Sequence, residues 1–297
     1  MMRRSLDGVL LLDKPAGVGS NALLQTAKRL FGAAKAGHAG TLDPLASGLL
    51  LVLFGEATKF SRFALDADKE YAARARLGVT TTTADAHGEV LERKSCTVSR
   101  ADIEPVLARF RGELEQVPPM YSALKREGRP LYELARQGRE VARAPRRIRV
   151  HELRLLDFTG EDLELRLRCT KGTYVRTLVE DIGRALGCGA HLAALRRTRS
   201  GSFSVEDAAT LEQLQGDAAP ARDARLLGVE RLLAGLPRVD LPAAAAERFA
   251  RGQVLRIDPV PAGHCSVYGL HGRLLGLGEG HAPGELRPRR LISHASG

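Results

Sequence analysis

The chain has 297 residues, 44% of them hydrophobic and none tryptophan, enough apolar material for one large globular domain and a small one. Lys and Arg total 45 against 35 acids, a net charge of +10 that suits a polyanionic partner, nucleic acid being the commonest. The four widely spaced cysteines (Cys96, Cys169, Cys188, Cys265) argue against a disulfide framework or zinc site. No apolar run is long enough for a membrane span or a signal peptide, so a cytoplasmic location is expected. In chain order, Val9 to Leu12 predicts a buried strand closed by Asp13-Lys14-Pro15. Ser20 offers an N-cap for a helix with Leu23, Leu24, Ala27, Leu30 and Phe31 on one face, stopped by Gly32. Residues 36–48 are glycine-rich and expected to be irregular. Leu49 to Phe54 predicts a fully buried strand, and Thr58 to Leu65 a short helix. Tyr71, Ala73, Ala75 and Leu77 alternate with polar or small residues, which is strand periodicity. Ser99 and Asp102 form a capping-box variant for a helix ending near Phe110.

Residues 117–147 differ in character, with prolines, glycines, dense arginines and apolar periodicity only near Leu131 to Ala135. Between Lys125 and Arg154 there are ten Lys/Arg and four Glu, a surplus of six out of the whole chain's ten. This reads as an inserted loop and helix that grips a phosphate backbone, the plainer alternative being a solvated charged face. Leu163, Leu165, Leu167 and Cys169 predict a strand. Thr173 offers an N-cap for a helix with Val175, Leu178, Val179, Ile182 and Leu186 inward, ended by Gly187 and Gly189. Leu211 to about Leu236 reads as helical, residues 237–242 as a linker, and Val254 to Leu277 as a small β-rich domain.

The common catalytic signatures are missing: no GxxxxGK[ST] loop, no GxGxxG after a strand, no HExxH and no GxSxG. What remains is Gly37-His38-Ala39-Gly40-Thr41-Leu42-Asp43-Pro44-Leu45-Ala46-Ser47-Gly48. An Asp before Pro is ordinarily a turn former. Here it shares a long loop with a His, a Thr and glycines beside a buried strand, a setting that favours function.

HAGTLDPLASGLLLVLFGEATKF resembles the signature of the TruB pseudouridine synthases, H-[TG]-G-T-L-D-P-x-A-x-G followed by G-x-A-T-K. Four more blocks in order are similar to that family: DKPAGVGS from Asp13, KEYAARARLGVTTTTADAHGEV, PPMYSALKREGRPLYELARQGREV, and KGTYVRTLVEDIGRALGCGAHLAALRR. Ala39 departs from the usual Thr or Gly, and Thr82 stands where an Asp is common, which leaves details of RNA contact open.

The resemblance implies an α+β fold, a mixed and mainly antiparallel sheet with flanking helices, over residues 1–236. Residues 117–147 would be the RNA-gripping insertion, and residues 237–297 a PUA-like RNA-binding domain. It implies isomerisation of uridine to pseudouridine at position 55 in the T-loop of tRNA, by base flipping and without cofactor or metal. Asp43 would be the catalytic carboxylate, ion-paired to Arg176, because burial alone would raise its pKa. Tyr71 would stack on the flipped base and help remove the C5 proton. His38 would fill space left by the base or pack on RNA, Tyr174 and Leu195 would shape the pocket wall, and Lys14 would position the N-terminal loop or touch a phosphate. The expected partner is the tRNA T-stem loop, bound by a stand-alone monomer without guide RNA or membrane. The alternatives are an RNA chaperone of the same fold, a guide-RNA-dependent synthase acting on ribosomal RNA, and an unrelated basic enzyme.

Overall fold

A computed structural model describes residues 3–293 apart from Ala123 and Glu127. The first strand, β1 (Gly8–Lys14), follows from its unbroken apolar run and is buried along almost its whole length. α1 (Ser20–Leu30) starts one residue earlier than an N-cap at Ser20 would place it. Gly19 is the N-cap, and the Ser20 hydroxyl turns away from the helix to bond the backbone of Leu42 at 2.8 Å. Gly32, at φ +61°, ends the helix as expected. The glycine-rich stretch is not irregular throughout: β2 (Ala36–Ala39) pairs antiparallel with β3 (Ser47–Phe54), leaving only residues 40–46 as loop. A 3-10 turn at Gly55–Phe60 leads into α2 (Ser61–Asp66).

β4 (Lys69–Leu77) buries alternate residues, Tyr71 among them. β5 (Val79–Thr81) and β6 (Val90–Arg93) then form a small hairpin. α3 (Arg100–Arg109) opens on the capping box, with the Ser99 N–H donating to the Asp102 carboxylate at 2.8 Å. After β7 (Gly112–Gln116), the basic insertion holds a short hairpin of β8 (Lys125–Arg126) and β9 (Arg129–Pro130), followed by α4 (Leu131–Arg136). The long strands β10 (Arg146–Phe158) and β11 (Asp162–Cys169) pair antiparallel. α5 (Val175–Ala185) is capped by Tyr174 rather than Thr173, because the Thr173 hydroxyl donates to the Thr170 carbonyl instead.

β12 (Ala190–Ser200) has no clear signal in the sequence, yet the architecture turns on it: it joins β3 in parallel and β4 antiparallel. β13 (Phe203–Ser204) and β14 (Ala209–Thr210) complete a ten-stranded sheet with main order β14-β1-β3-β12-β4-β11-β10-β7. The stretch from Leu211 breaks into α6 (Leu211–Gly216), α7 (Ala219–Asp223) and a 3-10 turn, Pro220 opening the second piece. The expected linker is already part of a second sheet. β15 (Arg238–Asp240) lies parallel to β17 (Gly263–Tyr268), and α8 (Ala243–Ala250) absorbs the alanine run. β16 (Leu255–Arg256), β17 (Gly263–Tyr268), β18 (Leu274–His281) and β19 (Glu285–Leu291) complete that five-stranded sheet.

Apolar clusters hold these layers together. α3 and α5 cover one face of β4, β11 and β12, while α1 covers one face of β1 and β3. The opposite face of β1 and β3 packs Val9, Leu11, Leu51 and Leu53 in a cluster that includes Tyr268, Leu274 and Leu277 of the second sheet. Polar contacts close the same seam. Lys59 Nζ donates to the Leu291 carbonyl at 3.0 Å, and the Ser293 N–H donates to Glu56 at 2.6 Å.

Candidate active site

The loop between β2 and β3 is held from several sides. Ser20 bonds the Leu42 backbone, the Gly17 N–H donates to Pro44 O at 2.7 Å, and the Ala46 N–H donates to Asp43 O at 3.0 Å. Gly48, at φ +97°, lets β3 start against β12; a Cβ there would meet the Arg197 carbonyl oxygen at 2.3 Å. Asp43 is thus carried on a braced turn with its side chain 42% exposed.

Arg176, in the first turn of α5, reaches that carboxylate. Its Nε stands 2.9 Å from Asp43 Oδ2, Nη1 donates to Thr83 O at 3.1 Å, and Nη2 donates to Tyr121 O at 2.6 Å. Asp85 approaches Nε at 3.7 Å from the buried side. The turn that presents Thr83 and Asp85 is bonded to itself: the Thr83 hydroxyl donates to Asp85 Oδ1 at 2.6 Å, and the His87 N–H donates to the same oxygen at 3.0 Å. A guanidinium can serve several acceptors at once because its donors form a rigid planar fork. The start of α5 is clamped as well. Gln116 accepts from the Tyr174 N–H at 2.8 Å and donates to the Tyr174 carbonyl at 3.0 Å.

Asp43, Tyr71, Tyr174, Arg176 and Leu195 line one cavity of about 320 Å3, floored by Arg197 and Lys69. It is large enough to admit a nucleobase with its sugar. Burial pushes the Tyr71 hydroxyl above its ordinary pKa, against the opposing pull of Arg197, and burial raises Tyr174 similarly. Both phenols therefore rest protonated at neutral pH.

Lys14 and His38 are not part of the cavity lining. Lys14 is fully buried, its ammonium donating to Pro15 O at 2.9 Å and Val18 O at 2.6 Å, so it braces the loop before α1 and is out of reach of a phosphate. Burial brings its pKa down to about 8 despite the favourable charge of Asp43. His38 lies on β2 opposite Val52 with Nδ1 buried and unpartnered; burial, then Arg197, lower its pKa and keep the ring neutral.

Several residues of the site have no role assigned by the sequence, although Lys69 and Arg197 stand in two of the family-like blocks. Arg197 on β12 is 1% exposed and donates to Leu49 O at 2.7 Å and Gly40 O at 2.8 Å. Lys69 commits its ammonium to the carbonyls of Ala64, Leu65 and Ala67. Lys14, Lys69, Arg176 and Arg197 thus bring four buried cations around the pocket, against Asp85 as the buried acid beside them. The field they set up favours negative charge in the cavity. Asp85 lies in the TTTTAD stretch, where its spacing alone assigns it no role; nothing in the sequence marks Gln116. Among the described residues, no group of three His, Cys, Asp or Glu is arranged to hold a metal ion, and no helix is long and apolar enough to cross a membrane.

Comparison with known proteins finds relatives along almost the whole chain. Residues 28–175 match the family profile "TruB family pseudouridylate synthase (N terminal domain)". Residues 176–234 match "tRNA pseudouridylate synthase B C-terminal domain", and residues 237–292 "Pseudouridine synthase II TruB, C-terminal". The chain is 54% identical over 295 residues to the tRNA pseudouridine synthase B of Azoarcus sp., covering 99% of this chain and 98% of that one. It is 53% identical over 299 residues to the protein of the same name from Burkholderia mallei, covering 98% and 99%. Among solved structures, a chain of an H/ACA RNP bound to a substrate RNA containing 2′-deoxyuridine superposes with a TM-score of 0.74. Its identity is 26%, with 97% of this chain and 86% of that one covered. A chain of a Cbf5-Nop10-Gar1 complex gives 0.70 at 30% identity, with 93% and 79% covered. The large mixed sheet with its helices is the pseudouridine synthase fold, and the five-stranded sheet that follows is a PUA-like domain. With the signature carboxylate and its arginine paired in one cavity and relatives matched over almost the whole chain, this protein belongs to the TruB family of pseudouridine synthases, which are isomerases.

Proposed function

We propose that the protein converts one uridine of tRNA, at position 55 in the T-loop, to pseudouridine. The observation that carries this reading is the 2.9 Å contact between Asp43 and Arg176 at the mouth of a cavity lined by Tyr71. The names of the full-length relatives support tRNA as the substrate. The target base is flipped out of the RNA into the cavity. The Asp43 carboxylate, aimed by Arg176, assists cleavage of the N1–C1′ bond. The freed base turns over, C5 joins C1′, and the proton on C5 leaves to solvent while N1 gains one. Tyr71 provides the face on which the base stacks. Its protonated hydroxyl takes part in removing the C5 proton only if Arg197 stabilises a transient phenolate. Tyr174 and Leu195 wall the cavity.

Residues 1–236 act in this reading as the catalytic domain, with residues 117–147 gripping the T-stem by its phosphates. Residues 237–297 act as an RNA-binding domain. The protein works as a cytoplasmic monomer without guide RNA. The test is incubation of the purified protein with an unmodified tRNA transcript tritiated at uridine C5. Release of one equivalent from position 55 by wild type, and none by Asp43→Asn, is the expected result. Tight binding without release would instead favour a chaperone or a guide-dependent enzyme.

A further inference from the structure

The turn at residues 81–88 has a second side. There, Arg74 and Arg76 of β4, Arg93 of β6, the neighbouring Lys94, and His191 of β12 line a separate cavity of about 700 Å3. Because strand residues alternate between faces, Arg74 and Arg76 point away from the core that holds Tyr71, Ala73 and Ala75. This cavity therefore lies on the opposite face of the sheet from the uridine pocket.

Its charges are unusually placed. Three arginines near it on this face have carboxylate partners: Arg76 with Glu161 at 2.7 Å and Asp162 at 2.9 Å, Arg166 with Glu70 at 2.8 Å, and Arg168 with Asp68 at 3.4 Å. Lys94 pairs with Glu92 at 3.1 Å. Arg74 and Arg93 differ: among the described residues, no carboxylate stands within ion-pair distance of either. His191 is buried, with Nδ1 2.9 Å from Val79 O, and among the described residues its Nε2 has no partner. The acid in the lining, Glu161, is already taken by Arg76. Leu77, Val79 and Val90 supply an apolar portion, with Val90 47% exposed.

Two unpaired guanidiniums have the chemistry a phosphate requires, since the arginine fork matches phosphate oxygens two at a time, while His191, donating through Nδ1 to Val79 O, presents Nε2 as an acceptor. The apolar portion suits a sugar or base, and the volume is that of a small-molecule site. We propose that this cavity binds a nucleoside phosphate, its phosphate held by Arg74 and Arg93, a sugar hydroxyl donating to His191 Nε2, and its base set against Val79 and Val90. The nucleotide is either free or one unit of an RNA strand; the recognising chemistry is the same. Thr81, Ala86 and Gly88 line this cavity, and the same turn's Thr83 and Asp85 hold Arg176, so an occupant leans on the support of the catalytic arginine.

The test is calorimetric titration of ADP into the full chain at low salt, beside an Arg74→Ala/Arg93→Ala double variant and Asp43→Asn. Both arginines are exposed, and a thermal melt checks that the double variant is folded. The expected result is one saturable site, weakened about tenfold or more in the double variant and unchanged in Asp43→Asn. If ADP does not bind but the double variant loses about tenfold in affinity for an unmodified tRNA transcript, the nucleotide belongs to an RNA strand. A flat ADP titration with unchanged transcript affinity overturns the proposal. So does ADP binding that survives in the double variant or disappears in Asp43→Asn.

Discussion

Asp85 stands 3.7 Å from Nε of Arg176, the same nitrogen that Asp43 contacts at 2.9 Å. One guanidinium therefore joins a carboxylate that is 8% exposed to one that is 42% exposed. The buried acid, with the Thr83 and Tyr121 carbonyls, fixes the arginine. The exposed acid keeps free lone pairs facing the cavity.

Arg176→Lys tests that division. A lysine keeps the charge but cannot reach Asp43 and two diverging carbonyls together. Single-turnover kinetics on a tRNA transcript should show the chemical step slowed by about 100-fold or more, as for loss of a positioned electrostatic partner. The Kd for the transcript should change little. An equal fall in binding would show that the arginine mainly supports the fold.

Asp43→Asn should abolish turnover and leave RNA binding near that of wild type, measured by tritium release and filter binding. Tyr71→Phe keeps the aromatic face and should also bind normally. If it retains wild-type turnover, the hydroxyl has no part in proton removal and stacking is its whole contribution.

The insertion gives a prediction about salt. Arg139 and Arg147 are exposed on it and at its boundary with β10. Arg139→Glu with Arg147→Glu should weaken transcript binding and flatten the plot of log affinity against log salt, by about one unit of slope for every phosphate no longer neutralised. An unchanged slope would make this segment a solvated face.

Lys69 gives a pH signature. Burial lowers its pKa from 10.5 to about 8 in the folded protein. The unfolded chain then binds more protons than the folded one between about pH 8 and 10.5, so Lys69 adds stability as pH rises through that window. The difference in Tm between wild type and Lys69→Met should move in favour of wild type from pH 7.5 to pH 10. A difference that is flat with pH would mean that the ammonium is better solvated than its three carbonyl contacts imply.

The parts of the fold that are legible in the sequence are those where pattern and burial coincide. β4 and β11 alternate cleanly, β3 is a continuous apolar run, and α3 carries its capping box. β12 is opaque because two bulges break its alternation and its second half, Leu195 to Ser200, is dense in arginine. Arg197 is a buried residue of a type that composition assigns to the surface. β2 is short and begins among glycines, and β15 lies between two prolines, so both read as loop until their partner strands are seen. Ser20 and Thr173 have the chemistry of N-caps, yet each hydroxyl finds a partner outside its helix. At the site, Asp43, Tyr71 and Arg176 stand in ordered motifs. The groups that hold Arg176, Asp85 and the Thr83 carbonyl, depend on a turn geometry that spacing does not convey.

The seam between the two sheets has a mechanical consequence. Tyr268, Leu274 and Leu277 are embedded in the same apolar cluster as β1 and β3, and Lys59 and Glu56 latch the end of the second sheet. A joint packed in this way resists swinging, since opening it would expose that apolar cluster. In the proposed function, the distance from the outer sheet to the cavity is then a built-in calliper, and an RNA touching both would need the right span before its base could enter.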